Sequence, residues 1–210
     1  MKILNLYAGI GGNRKLWGDE REITAVEYKP EIAKVYQDLF PKDTVIIGDA
    51  HQYLVDHYSE FDFIWSSPPC PSHSKMRKGF SVANGAKPIY PDMKLYEEIL
   101  FLQGFFKGKF CVENVIAWYE PLITPTEMGR HYYWTNFYIS SRFDTGKSKI
   151  NITGTMEKQS HNEQIEKLAT ELGFDLSKIS FPDKRLVLRN CVEPEVGKYI
   201  LDCSKDNPLL

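Results

Sequence analysis

Short apolar runs that each stop at a polar residue, with helical segments between them, constrain this chain more than any other feature. "KILNLY" (residues 2–7), "ITAVE" (23–27), "DTVIIGDA" (43–50), "FDFIWSS" (61–67) and "KFCVENV" (109–115) have strand length and strand composition, and "YYWTNFYISS" (132–141) reads as a sixth strand. Between them, "EIAKVYQDLF" (31–40) has helical period and is stopped by Pro41, and "DMKLYEEILFLQGFF" (92–106) is a second long helix. The glycines after the first strand permit a tight turn, and a helix is expected to start near Gly12. Strands and helices alternating at this spacing predict βαβ units, hence an α/β fold with a parallel, doubly wound, Rossmann-like sheet. Ligands of such sheets bind in the crevice beyond the carboxyl ends of the strands, where polar and acidic residues recur here.

The texture changes after Arg142. "DTGKSKINITGTMEKQS" is polar and loop-like, and "SHNEQIEKLATELG" is a helix with Ser160 and Glu163 as a capping box and Gly173 as its stop. Three parts are therefore expected: a core over residues 1–141, a small inserted element over 142–184, and a C-terminal segment over 185–210 of strand-then-helix texture. A chain of 210 residues with 42% hydrophobic and 26% charged residues is an ordinary globular protein. No apolar run reaches the length of a membrane helix, so no membrane partner is expected. The first residues lack the small-residue cleavage site of a signal peptide, which points to the cytoplasm and reduced thiols. Cysteines at 70, 111, 191 and 203 are not spaced as zinc pairs, so no metal site is expected. A net charge of −2 means that any nucleic-acid surface must be local.

Chemistry gathers at the strand ends. "GIGGNR" places Arg14 where the dinucleotide pattern needs glycine, which disfavours a nicotinamide enzyme, while Gly9, Gly11 and Gly12 can still bring a nucleoside close to the backbone. Glu27 suits ribose hydroxyls or is a solvated strand end; Asp49 suits an adenine amino group or caps the next helix. Cys70 lies between Pro69 and Pro71, on a backbone stiffened from both sides, as an aimed nucleophile requires. His73 is a candidate base for it, or a phosphate or turn residue. Cys111, Cys191 and Cys203 read as structural. Glu113 ends its strand, where a partly apolar pocket lets a carboxyl group keep or share a proton with a ring nitrogen; Asn114 can brace the adjoining turn.

These residues resemble the DNA cytosine-5 methyltransferases. "NLYAGIGG" resembles that family's S-adenosylmethionine loop, "PPCPSHS" its nucleophile motif, "ENV" at 113–115 its acid motif and "RNCVEPEVGKYIL" its final motif, in the family's order. The resemblance implies an S-adenosyl-L-methionine-dependent enzyme that methylates C5 of a flipped cytosine in double-stranded DNA. Cys70 would be the nucleophile, Glu113 the acid, and Asn114 and Arg130 supporting catalytic residues. It implies a cofactor site of Tyr7, Ala8, Gly9, Gly11, Gly12, Glu27, Tyr28, Asp49, Ala50, Pro69, Asn190 and Val192. It also implies a bacterial or phage-encoded cytoplasmic setting and leaves room for a cognate restriction endonuclease. Four positions depart from the family: Tyr7 stands for its usual Phe, Met128 and Tyr132 for the Gln and the last Arg of its Q-x-R-x-R motif, and Arg189 for a Gly. Lys75, Arg77, Lys78 and Lys87 are candidates for a basic loop over DNA, and Lys147, Lys149, Lys158 and Lys178 for phosphate contacts from the inserted element. An RNA cytosine methyltransferase and a non-catalytic DNA-binding relative are the alternatives; intact Cys70 and Glu113 weigh against the second.

Overall fold

A computed structural model describes residues 1–75, 78–79, 83–85, 87–144, 161–177, 179 and 181–206. Its frame is a seven-stranded sheet in the order β3-β2-β1-β4-β5-β7-β6. The strands are β1 (Lys2–Leu6), β2 (Glu22–Glu27), β3 (Thr44–Ile47), β4 (Phe63–Ser66), β5 (Lys109–Val115), β6 (Thr126–Met128) and β7 (His131–Thr135). β1 through β5 are parallel, as the alternation predicts, so their carboxyl ends share one edge. β7 enters antiparallel beside β5, and β6 pairs antiparallel with it. A tight turn through Gly129, at φ 64°, joins these last two strands without the crossover helix a parallel pair needs. β6 is only three residues long and gives no periodic signal, so sequence pattern misses it.

Helices cover both faces. They are α1 (Pro30–Leu39), α2 (Ala50–His57), α3 (Lys94–Phe105), α4 (His161–Glu171), α5 (Lys184–Arg189) and α6 (Pro194–Asp206). One core layer joins Leu4, Leu6 and Ile64 of the sheet to Leu54 of α2 and Ile99 and Leu102 of α3. The opposite layer joins Ile3, Phe63 and Trp65 to Trp17 and to Ile200 and Leu201 of α6. Two expectations are corrected here. The segment after Gly12 is a single 3-10 turn, Asn13–Leu16, not a full helix. The side of the sheet it would have covered is taken by α6, which approaches so closely that a Cβ on Gly197 would lie 2.2 Å from the Asn13 carbonyl oxygen. "RLVLRN" is the helix α5 rather than a strand, because Leu188 packs with Leu168 and Leu172 in a separate cluster that also holds Ile10, Ile32 and Val35. The capping-box serine, Arg77 and the four lysines of the inserted element lie outside the described residues.

Arg14, the residue that breaks the dinucleotide pattern, is 2% exposed. Its Nε donates to Asp43 Oδ2 at 2.7 Å and its Nη2 to Asp43 Oδ1 at 2.9 Å, and Tyr36 donates its hydroxyl to Asp43 at 2.9 Å. The guanidinium also lies 4.7 Å from the centre of the Phe40 ring. This paired, buried charge ties the loop after β1 to the entrance of β3. Removing one partner of a buried pair strands the other in a dry site. Arg14→Met should therefore cost about 3–5 kcal/mol in urea unfolding, and Asp43→Asn added to it should recover part of that loss.

Candidate functional site

Two adjoining cavities open along the carboxyl edge of the parallel strands. The first, of about 380 Å³, is lined by Tyr7, Ala8, Gly9 and Gly12 after β1, by Pro69 and Cys70 after β4, and by Glu113 and Asn114 of β5. Asn190, Cys191 and Val192, between α5 and α6, close its far side. The second, of about 490 Å³, is lined by Glu27, Tyr28, Asp49 and Ala50, with Asp92, Lys94 and Leu95 opposite. Tyr7, Glu27, Pro69 and Asn190 border both. The fold thus brings together nearly all of the residues that the sequence singles out. Two stay apart. Gly11, at φ 81°, lines neither cavity, and a Cβ there would strike the Phe40 and Tyr36 rings, so this glycine serves a close approach. Arg130 is exposed in the β6–β7 turn and lines neither cavity.

The cradle of the first cavity is backbone. Gly9 sits at φ 55°, and a Cβ there would meet nothing within 4 Å, so the loop faces open space that a ligand can enter. Its N–H donates to Glu27 Oε2 at 3.0 Å, and the Lys29 N–H donates to Glu27 Oε1 at 2.9 Å. The carboxylate at the end of β2 is held from both sides. Gly12 meets the C-terminal segment: a Cβ there would lie 2.5 Å from the Val192 carbonyl oxygen. Asp49 does cap α2, accepting from the N–H groups of His51 and Gln52 at 2.9 and 3.2 Å through Oδ1. Its Oδ2 carries no bond among the described residues, so capping leaves one oxygen available to the second cavity.

The thiol and the acid stand on neighbouring strand ends, tied by Asn114. The Asn114 side-chain amide donates to the Pro68 carbonyl at 3.0 Å, and its Oδ1 accepts from the Val115 N–H at 3.0 Å. Beyond Cys70 the chain turns at once, with the N–H groups of His73 and Ser74 donating to the Cys70 carbonyl at 3.0 and 3.1 Å. Trp118 pins that turn, donating its indole N–H to the Ser72 carbonyl at 3.0 Å. Burial pushes the Cys70 thiol up, and the nearby Glu113 carboxylate pushes it further. The other thiols differ in kind. Cys111 is fully buried within β5. Cys191 borders the first cavity, yet burial pushes it up to about 12.

His73 is a buried side chain that borders the second cavity rather than the first. Its ring is 1% exposed, Nδ1 is 2.6 Å from the Tyr119 hydroxyl, and burial pushes its pKa down. The residue that sequence reasoning missed is His131. In the antiparallel pairing Glu113 lies opposite Tyr133 and Val115 opposite His131, so His131 shares the face of Glu113. His131 Nε2 lies 3.5 Å from Glu113 Oε1, and His131 lines the first cavity. Tyr132, one residue on, points to the opposite face, its ring centre 6.0 Å from that of Trp134. Strand side chains alternate, so a one-residue difference in alignment exchanges the faces. Only the register of β7 could reveal this.

Fold and edge together define a Rossmann-like α/β protein with a cleft lined by the glycine loop, the Cys70 thiol and the Glu113 carboxyl group. The chain belongs to the C-5 cytosine-specific DNA methylase family, whose sequence model matches residues 1–115. It is 29% identical over 113 residues to the Type II methyltransferase M.Bsp6I of Bacillus sp. (strain RFL6), a match covering 50% of this chain and 36% of that relative. Among solved structures it is similar to a Spodoptera frugiperda DNMT2 mutant, at 21% identity and TM-score 0.41 over 64% of this chain and 49% of that one. The methyltransferase EhMeth of Entamoeba histolytica is similar at 12% identity and TM-score 0.41, over 64% of this chain and 52% of that one. Among the described residues no cluster of His, Cys, Asp and Glu could hold a metal ion, and no helix is long and apolar enough to cross a membrane.

The electrostatics of the thiol can be measured directly. In the free protein, alkylation of Cys70 by iodoacetamide should rise with pH to a midpoint above the ordinary thiol value of about 8.5. Glu113→Gln should lower that midpoint, because it removes a neighbouring negative charge. Mass spectrometry of the Cys70 peptide reads both.

Proposed function

We propose that the protein is an S-adenosylmethionine-dependent DNA (cytosine-5)-methyltransferase that works through a covalent bond to Cys70. The observation that carries this reading is that Cys70 and Glu113 line one cavity together with the glycine loop. Family membership supports the same reaction.

The residues present fit the cofactor. The open backbone at Gly9 would admit its amino-acid end, Glu27 would accept from ribose hydroxyls, and Asp49 Oδ2 with Ala50 would meet the adenine in the second cavity. S-adenosylmethionine, when bound there, supplies an electrophilic methyl group. The chain's own task is to make cytosine C5 nucleophilic, since C5 of the aromatic ring is not. Cys70, as the thiolate, adds to C6 and pushes electron density toward C5. Glu113 holds a proton at N3, which keeps negative charge from building on the ring during attack. A base or water then takes H5, and the C5–H electrons re-form the C5–C6 double bond as the Cys70 thiolate leaves. The thiol must approach a ring face, so the cytosine has to leave the duplex stack.

We assign DNA contacts to two regions. One is the basic segment after Cys70, where the ammonium of Lys78 lies 4.1 Å from the Trp118 ring centre. The other is the inserted element, residues 142–184, with the core over 1–141 and the segment 185–210 packed back on it. A single compact reading helix covers about 3 bp. A partner endonuclease of the restriction–modification kind is compatible with this reading, as is a cytoplasmic setting.

Duplex DNA carrying 5-fluorocytosine should trap the protein through Cys70, because fluorine cannot leave as H5 does. Cys70→Ala should make no product yet still bind S-adenosylhomocysteine; an adduct on Cys191 or Cys111 would overturn the assignment. Glu113→Gln should lose about 2–4 kcal/mol of transition-state stabilisation in single-turnover methylation, the cost of one positioned group. Bisulfite reading of a methylated random-sequence library should give a site on the order of 2–4 bp around the cytosine. Methylation of transfer RNA in preference to duplex DNA would replace the substrate but keep the chemistry.

A further inference from the structure

Behind the cofactor loop lies a buried carboxylate that the proposed reaction does not use. Glu98 of α3 is 0% exposed. The Ser66 hydroxyl, at the end of β4, donates to its Oε2 at 2.6 Å. The Tyr7 hydroxyl, just past β1, donates to its Oε1 at 2.5 Å. His51 Nδ1, in the first turn of α2, lies 3.1 Å from the same Oε1. One side chain therefore gathers the ends of two central strands and the start of a helix, all on the cofactor edge. Burying a carboxylate is costly, and an apolar residue would fill that space more cheaply. An acidic side chain kept there with three polar partners points to a role in placing them.

Tyr7 is the partner that matters. It has φ 56°, in the left-handed region that a bulky residue disfavours. That conformation turns the chain out of β1 into the Gly9 cradle and sets Tyr7 between the two cavities. The Ala8 N–H still reaches the Val26 carbonyl at 3.0 Å, so the backbone is held at one end and the ring at the other.

We propose that Glu98 is a positioning residue for the cofactor site, holding Tyr7 in its left-handed conformation through an oxygen that it shares with His51. This rests on the reading of the two cavities as the cofactor site. Because both donors use Oε1, they compete. Protonated His51 draws on that oxygen more strongly and loosens Tyr7; neutral His51 leaves Tyr7 the dominant partner. The charged groups facing His51 are Glu98, Glu97 and Lys94 of α3, with Glu97 Oε2 3.7 Å from Nε2. Those facing the Tyr7 hydroxyl are Glu98, Asp49 and Asp92. Glu98 raises the His51 pKa, which is the direction expected of an imidazolium partnered by a carboxylate.

Two measurements test this on the full chain. The first is proton NMR titration of His51 without ligand, its signal assigned with His51→Asn. His51 should titrate above the ordinary value of about 6.5, higher still in Tyr7→Phe, which frees the shared oxygen, and nearer the ordinary value in Glu98→Gln. A His51 titration that Tyr7→Phe leaves unmoved would overturn the proposal. The second is calorimetry with S-adenosylhomocysteine at pH 8. Tyr7→Phe and Glu98→Gln should each weaken binding about tenfold, as loss of one charge-assisted hydrogen bond does. The double variant should be no weaker than the worse single one, because the two act through one bond. Additive losses, or singles that bind within twofold of the wild type, would overturn it. Wild type that binds no S-adenosylhomocysteine would refute the cofactor reading instead, and the ligand-free titration would still decide whether Glu98 holds Tyr7.

Discussion

The hydrogen bond from the Asn114 amide to the Pro68 carbonyl joins the two strand ends that carry Cys70 and Glu113. β4 and β5 are parallel neighbours, so their ends arrive at one edge by register alone, Ser66 opposite Val112. Register does not fix the turn beyond them. After Ser66 the chain leaves the ladder through two prolines, and neither can donate a backbone N–H to hold the turn in place. The Pro68 carbonyl still accepts, and Asn114, adjacent to Glu113, supplies the donor. The residue that orients the thiol's turn is thus fixed to the strand that carries the acid. A shift of either end carries the other with it.

The rest of the molecule holds that edge still. β1 is buried between β2 and β4, and its end leads into the glycine loop. Three devices then fasten the loop from different sides. The Arg14–Asp43 pair ties it to the entrance of β3. Gly12 and Gly197 let the C-terminal segment approach to backbone contact, with the Trp17 indole donating to the Gly197 carbonyl at 3.0 Å. Glu27 bonds the Gly9 N–H. Each uses a buried or half-buried polar group, and buried polar groups tolerate few alternative arrangements, since an unpaired one costs about 1–3 kcal/mol. The edge is therefore held in one arrangement.

Electrostatics divide the edge into two kinds of acid. Glu27 and Asp49 are braced by backbone N–H donors. Glu113 meets no such donor among the described residues; its near neighbours are the raised Cys70 thiol and the His131 ring. The braced acids and Glu113 thus stand on separate parts of one edge, with the ends of β1 and β4 between them.

The α/β class, the five parallel strands, the long helices after β2 and β4, and the strand ends that carry a thiol, an acid and a glycine turn were all legible in the sequence. They depend on local periodicity and on prolines and glycines, whose backbone limits act within a few residues. Sequence pattern also marked Arg14 as foreign to a dinucleotide loop, although the reason, a buried pair with a residue 29 positions away, is visible only in space. Packing settled the rest. "RLVLRN" became a helix because Leu188 found a packing partner in α4, and short apolar runs follow their neighbours more than their propensities. The antiparallel register of β7 put His131, not Tyr132, on the face of Glu113. His73 passed from candidate base to buried brace, and Glu98, an ordinary helix residue by pattern, became the carboxylate that Tyr7, Ser66 and His51 share. Sequence specifies what each segment can do locally; contacts between residues tens of positions apart exist only once the sheet has closed.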